Sequence, residues 1–292
     1  MKCELCPRRC GIDRAEKVGY CGVGETVKIA RAAPHFWEEP CISGTKGSGT
    51  VFFSGCSLRC VFCQNYQVSH AALGADVDED KLLRIFDYLI NQGVHNINLV
   101  TPTHYTAFLA GALRRFQSPV PVVWNSGGYE TAESLRMLEG LVDIYLPDIK
   151  FYDSTVSQKY AGAADYFERA SEAVLEMQRQ VGSLCVGEDG LATRGLLIRH
   201  LVLPGNVGQT FKVLQWVADN LPPETAVSLM RQYTPFGDAE NMPPLDRKLS
   251  SREYMLARQR VLDLGFENCY FQKKDSATEA FIPDFSAESI DL

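Results

Sequence analysis

Three cysteines stand close together at Cys56, Cys60 and Cys63, in the run Ser54-Gly55-Cys56-Ser57-Leu58-Arg59-Cys60-Val61-Phe62-Cys63-Gln64-Asn65. Thiolates at C-x3-C-x2-C spacing are metal ligands, and their number restricts the metal. A closed zinc site takes four protein ligands. An iron–sulfur cube also takes four, so three cysteines leave one iron open to an outside ligand. The pattern points to a [4Fe–4S] cluster with a vacant corner, and Cys56, Cys60 and Cys63 are the expected catalytic and metal-binding centre. The competing reading is three incidental thiols, since free cysteine packs as a small hydrophobe. Three of them on a Gly-containing loop make a poor core, and the cluster reading prevails.

A second group lies at the N-terminus. Cys3, Cys6, Cys10 and Cys21 are spaced C-x2-C-x3-C-x10-C among Gly11, Gly19 and Gly22. Four ligands on Gly-rich chain would close a tetrahedral zinc or complete an iron–sulfur cluster, and the spacing leaves the metal open. Cys41 is a spare ligand, and Cys185 and Cys269 stand alone as ordinary thiols. Ten cysteines in a chain whose first residues lack the apolar core of a signal peptide read as ligands of a reducing, cytoplasmic protein, not as disulfides.

The elements that must position these residues alternate along the chain. The apolar run Thr50-Val51-Phe52-Phe53 is a buried strand opening into the cysteine loop. Strands follow at residues 96–100, 120–124, 142–146, 196–203 and 226–230, with a short one at 269–272. Helices separate them at 80–91, 105–116, after Thr131, 163–181, 211–220 and 251–264; Thr131 caps one, and Ser250 with Glu253 forms a capping box. Six strands separated by helices require right-handed crossovers and a parallel, curved sheet. The expected fold is α/β, a partial (β/α)6 TIM-type barrel over residues 49–275. Ahead of it lies a cysteine-rich N-terminal extension (1–48), and behind it a polar C-terminal tail (276–292). Barrel enzymes build their sites at the C-terminal ends of the strands, where the polar residues gather here. The run Gly44-Thr45-Lys46-Gly47-Ser48-Gly49 lacks the ending of a phosphate loop and precedes a strand, so it reads as a turn.

The triplet Cys56-x3-Cys60-Val61-Phe62-Cys63, with Phe62 just before the last cysteine, resembles the signature of the radical S-adenosylmethionine superfamily. The later succession is similar to its glycyl-radical-enzyme activating branch, of which pyruvate formate-lyase activating enzyme is the best-known member. That succession is Trp124-Asn125-Ser126-Gly127-Gly128, Asp148-Ile149-Lys150, then Ile198-Arg199-His200-Leu201-Val202-Leu203-Pro204-Gly205. The resemblance implies that S-adenosylmethionine is chelated at the open iron through its amino and carboxylate groups. It implies Lys150 paired with the cosubstrate carboxylate, Asp148 holding Lys150 or a cation, and Asn125 and Ser126 organising the same end. Asp148 and Lys150 are two apart beyond a strand, so both face one side. One departure is plain: the superfamily's Gly-Gly-Glu run is replaced by Val100-Thr101-Pro102-Thr103-His104, so Thr101, Thr103, His104 or the backbone must take over. Gln232 or Tyr233 is expected to reach the ribose, and His200, alternating with apolar neighbours, to pack against the sheet.

The implied activity is reductive cleavage of S-adenosylmethionine to a 5′-deoxyadenosyl radical that abstracts a hydrogen atom, as an activase acting on a glycyl radical enzyme. The electron donor would be a flavodoxin or ferredoxin, in an anaerobic, cytoplasmic setting. A second reading keeps the radical and makes the target a small molecule or peptide, because the activating branch's extra cysteines usually follow the triplet and here they precede it. A third reading makes both cysteine groups structural zinc sites of an interaction module. Net charge −7 argues against a nucleic-acid binder, and no apolar run approaches the length of a membrane span.

Overall fold

The computed structural model describes residues 2–70, 73–273, 276, 283 and 285. Its strands are β1 (Val27–His35), β2 (Ser48–Phe53), β3 (Ala75–Val77), β4 (Ile97–Val100), β5 (Val122–Ser126), β6 (Ile144–Pro147), β7 (Cys185–Val186), β8 (Ala192–Leu201), β9 (Ala226–Met230) and β10 (Cys269–Phe271). The helices are α1 (Pro40–Ser43), α2 (Tyr66–Ser69), α3 (Glu79–Asn91), α4 (Thr106–Arg115), α5 (Ala132–Arg136), α6 (Ser154–Ala161), α7 (Tyr166–Val181), α8 (Val207–Asn220) and α9 (Ser251–Asp263). In the sheet the order is β10-β9-β8-β6-β5-β4-β2-β1-β3. From β2 to β10 every neighbouring pair in that order is parallel, whereas β1 runs antiparallel to both β2 and β3. This is the partial (β/α)6 barrel, with β10 as a short added strand. The tail expected from residue 276 lies largely outside the described residues.

Alternation along the strands sorts side chains between two cores. On the outer face Val51, Phe53, Trp124, Tyr145, Ile198 and Leu229 pack under the helices. The helix α3 shows how that layer is specified. Asp78 caps it by accepting from the Lys81 amide at 2.7 Å, and Leu82, Ile85, Phe86 and Leu89 point inward, fully buried. Each such side chain stabilises the fold by about 1.5–3 kcal/mol relative to exposure. On the inner face Val123, Ile144, Leu146, Leu197 and Ala226 pack against Cys41 and Ile42 of α1. That short helix fills the barrel interior from the N-terminal extension.

Several elements depart from the sequence reading. The strand β1 was not anticipated, although Val27 and Ile29 alternate with Lys28; alanines and Pro34 dilute its β character. The helix α6 and the hairpin of β7 with β8 were also unread. The strand expected at 120–124 runs two residues later, so Asn125 and Ser126 end a strand and do not open a loop. The capping box at Ser250 is present, and Thr131 caps α5 by accepting from the Ser134 amide. His200 packs against the sheet as expected: Nδ1 donates to the Ile149 carbonyl at 2.6 Å, and Nε2 accepts from Thr210 at 2.9 Å. Among the described residues no helix is long and apolar enough to cross a membrane.

Burial holds His104 and His200 neutral and pushes each down to about 4. In the unfolded chain a histidine takes up its proton near the ordinary value of about 6.5. The folded pKa being the lower, stability is complete above about pH 6.5 and is lost as pH falls toward 4. The loss at pH 5 is on the order of 2 kcal/mol per histidine. Guanidinium denaturation of metal-free protein at pH 7 and pH 5 measures it. His104→Gln and His200→Gln are each expected to remove that share of the fall, and an unchanged pH dependence in both variants would contradict the assignment.

Candidate cluster and cosubstrate site

The cysteine loop leaves β2, whose six residues are all buried. It turns at Gly55, which has φ +84, and a Cβ there would lie 2.5 Å from the Cys21 carbonyl oxygen. Glycine alone fits so close an approach. The N-terminal extension then grips the loop. The Cys56 amide donates to the Cys21 carbonyl at 3.1 Å, and Arg8 donates to Ser57 O at 2.8 Å and Gly162 O at 2.6 Å. On the other side the Val61 amide donates to Tyr160 O, and Ala239 N donates back to Val61 O.

Cys56, Cys60 and Cys63 line one cavity at the C-terminal ends of the parallel strands, and the side chains of Phe62, Thr101, Asn125, Ser126, Asp148, Lys150 and Gln232 line it with them. The thiols are desolvated: burial pushes Cys60 up to about 12 and raises Cys56 and Cys63 as well, against the pull of Lys150. The Leu58 amide donates to Cys56 Sγ and Ser69 Oγ donates to Cys63 Sγ, each at 3.3 Å. Three buried thiolates repel one another, so they ionise together only around a compensating cation. An iron–sulfur cluster fits this donor set, with its sulfur ligands spread over different irons. Among the described residues no three His, Cys, Asp or Glu side chains are drawn close enough to hold a single metal ion.

Beneath the loop lies a buried ionic layer. Arg199 of β8 donates from Nε to Asp148 Oδ1 at 2.9 Å, from one terminal nitrogen to Glu38 Oε2 at 2.9 Å, and from the other to Asn125 Oδ1 at 2.6 Å. Lys150 bonds the other oxygen of Asp148. Burial alone would push the Asp148 carboxyl up, but Arg199 and Lys150 outweigh it and hold it below the usual carboxylate range. Desolvation would depress Lys150, and Asp148 more than offsets it. The buried Tyr166 hydroxyl accepts from the Lys150 amide at 2.9 Å and lies 2.9 Å from Gly127 O, pinning this turn to the end of β5. Ser126 donates to Glu130 at 2.7 Å, as do Trp124 at 2.8 Å and Thr103 at 3.0 Å.

Not every expected residue comes to the cavity. Thr103 is turned away by its bond to Glu130. His104 is buried behind the loop, with Nε2 donating to Ser54 O at 2.8 Å. Of the residues expected to replace Gly-Gly-Glu, only Thr101 faces the site, in a left-handed conformation (φ +59) that costs a non-glycine residue about 1–2 kcal/mol. Tyr233 donates to Leu245 O at 2.6 Å and packs edge-on behind Phe62, supporting it without lining the cavity. Gln232 bridges the rim, accepting from Gln272 at 2.7 Å and contacting Gln64. The sequence reading missed Glu38, Arg199, Glu130 and Tyr166. Arg199 was legible: it follows Leu197 by two, so it must share that residue's inner face. Glu38 gave no such signal, because it comes from a non-barrel segment folded inward.

At the N-terminus Cys10 Sγ and Cys21 Sγ lie 3.4 and 3.3 Å from the Cβ position of Gly19, so both sulfurs border one small space. Cys6, with Cys21, Cys3 and Cys10 as charged neighbours, is pushed up to about 12, mainly by burial.

Truncating Arg199 would strand Glu38 and Asp148 as buried, unpaired carboxylates. Arg199→Met is expected to cost about 3–5 kcal/mol in chemical denaturation. A loss below about 1 kcal/mol would show that the layer is not held by this guanidinium.

Residues 43–163 match the family model of a 4Fe-4S single cluster domain, a span that includes the three cysteines. An uncharacterized protein of Methanocaldococcus jannaschii is 28% identical over 279 residues, covering 91% of this chain and 77% of that relative. The fold is shared with two solved structures. Streptococcus suis SuiB bound to precursor peptide SuiA superposes with a TM-score of 0.52 at 12% identity, over 77% of this chain and 48% of SuiB. A spore photoproduct lyase variant does so with a TM-score of 0.50 at 13% identity, over 75% of this chain and 74% of that one. A 4Fe–4S domain matched across Cys56, Cys60 and Cys63, set in this barrel, bears out the resemblance of the chain to the radical S-adenosylmethionine superfamily.

Proposed function

We propose that the protein is a radical S-adenosylmethionine enzyme that removes a hydrogen atom from its substrate. The observation that carries the reading is the placement of three desolvated thiols on one loop, directly over the Asp148–Lys150 pair. When bound, a reduced [4Fe–4S] cluster supplies one electron to cleave the cosubstrate to methionine and a 5′-deoxyadenosyl radical. The chain's own part is to bind, orient and keep dry. Lys150, held by Asp148, receives the cosubstrate carboxylate; Asn125 and Ser126 fix the same end; Phe62 packs against the cluster loop from within. Thr101 takes the place of the absent Gly-Gly-Glu run.

The motif succession from Trp124 to Gly205 supports an activase-like role on the glycine of a partner enzyme, with a flavodoxin or ferredoxin as electron donor in a reducing cytoplasm. A modified small molecule or peptide is the second reading. It is favoured by the polar floor of Glu38, Glu39 and Arg199 inside the cavity, which a backbone glycine alone does not need. The N-terminal cysteines belong to the same proposal: Cys3, Cys6, Cys10 and Cys21 hold a second metal centre whose backbone clamps the cluster loop at Cys56.

Anaerobically reconstituted protein, given dithionite and S-adenosylmethionine, is expected to form 5′-deoxyadenosine. Replacing Cys56, Cys60 and Cys63 by Ala should abolish it together with the iron bound at that site. Iron retained in full by the triple variant would overturn the assignment. Incubation with candidate partners then separates the two targets, a glycyl radical signal marking one and a small product the other. Metal analysis of the Cys3→Ala/Cys6→Ala double variant tests the second centre. It is expected to lose metal while keeping the triad's cluster, and an unchanged metal content would remove the N-terminal site.

A further inference from the structure

The cavity has a floor as well as a rim. Trp37, Glu38 and Glu39 enter it from the segment between β1 and α1, which also sends Cys41 and Ile42 into the barrel interior. The floor holds one more carboxyl than it has lysine and arginine, and burial raises the pKa of Glu39. Among the lining residues the carboxylates are Glu38, Glu39 and Asp148, and the lysine and arginine are Lys150 and Arg199.

Two of the three carboxylates are saturated. Glu38 accepts from Asn98 at 3.2 Å, Asn125 at 3.0 Å and Arg199 at 2.9 Å. Asp148 takes Arg199 on one oxygen and Lys150 on the other. Glu39 is left over. It is 8% exposed; Ser228 bonds its carboxyl, but Oε2 has no hydrogen-bond partner among the described residues. An acceptor buried in that way costs about 1–3 kcal/mol, and more if ionised, unless an occupant brings a donor. Arg199 directs Nε and both terminal nitrogens at Asp148, Glu38 and Asn125, and none of them bonds Glu39 Oε2. Beside it stands Trp37, an aromatic ring at the cavity wall of the kind that favours cations.

We propose that Glu39 is the substrate subsite for a cationic nitrogen, an amino or guanidino group, with Trp37 as the adjoining wall. The inference rests on the radical reading of this cavity and gives it a substrate class: a compound or peptide side chain carrying a basic nitrogen. An arriving cation gives Oε2 its missing donor and favours the ionised carboxylate that burial alone opposes. Its attachment to the floor leaves the rest of the substrate directed up toward the cysteine loop.

The test is a binding measurement, independent of turnover. The protein, as purified and after cluster reconstitution, is titrated calorimetrically with n-butylammonium and n-butylguanidinium, and with 1-pentanol and pentanoate as neutral and anionic counterparts. Saturable binding is expected for the two cations alone. Glu39→Gln should weaken it at least tenfold, with unchanged affinity for S-adenosylmethionine, and Glu39→Asp should retain the preference for cations. Trp37→Phe keeps an aromatic wall and should change the affinity only slightly. Equal binding of the neutral compound overturns the proposal, as does undiminished cation binding by Glu39→Gln. A fall in S-adenosylmethionine affinity instead would assign Glu39 to the cosubstrate and also overturn it. Failure to cleave S-adenosylmethionine would strike the radical reading while leaving the cation binding measurable, so the two failures are distinct.

Discussion

The guanidinium of Arg199 is the interaction on which the interior depends. An arginine on the inner face of a barrel strand is costly to desolvate, and it is tolerated only when its planar fork is met by acceptors in fixed positions. Here those acceptors come from three places: Asp148 beyond β6, Asn125 at the end of β5, and Glu38 from outside the barrel altogether. One side chain therefore sets the register of two strand ends and anchors the inserted N-terminal segment. Because Asp148 in turn holds Lys150, the same fork determines where the Lys150 ammonium sits in the cavity.

The cysteine loop is constrained from the opposite direction. The loop buries Leu58, Cys60 and Phe62 in an apolar cluster with Phe151 and Tyr233, and its main chain is held by neighbours. The Cys21 carbonyl takes the Cys56 amide, Arg8 ties Ser57 to the turn after α6, and residues 160 and 239 bracket Val61. The N-terminal cysteine segment thus acts on the cysteine loop through the Cys21 carbonyl and the Arg8 side chain. This arrangement explains how a segment preceding the barrel contributes to a site built at the strand ends.

Much of this was legible in the sequence, and the unread parts share a cause. Periodicity located the parallel strands and the helices α3 and α8, and with the Ser250 capping box α9, because those elements carry long apolar patterns; the Asp78 cap of α3 went unread. The triad was legible because its chemistry is fully local. Thr103, His104 and Tyr233 were expected in the cavity from their place after strands, but each is claimed by a tertiary partner: Glu130, the Ser54 carbonyl and the Leu245 carbonyl. Glu38 and Glu39 went unread for the complementary reason. Nothing local in Trp37-Glu38-Glu39-Pro40 distinguishes a surface turn from a segment folded into a barrel; only the matching Arg199, far away in the chain, makes burial of the acid affordable.

The central claim is that one iron of a cluster on Cys56, Cys60 and Cys63 is left for an outside ligand. Mössbauer spectroscopy of protein reconstituted with iron-57, in a Cys3→Ala/Cys6→Ala background, tests it directly. Adding S-adenosylmethionine is predicted to change the isomer shift of one iron site in four while the other three stay as they were. A spectrum unaltered by S-adenosylmethionine, or a cluster with all four irons equivalent and cysteine-bound, would contradict the account.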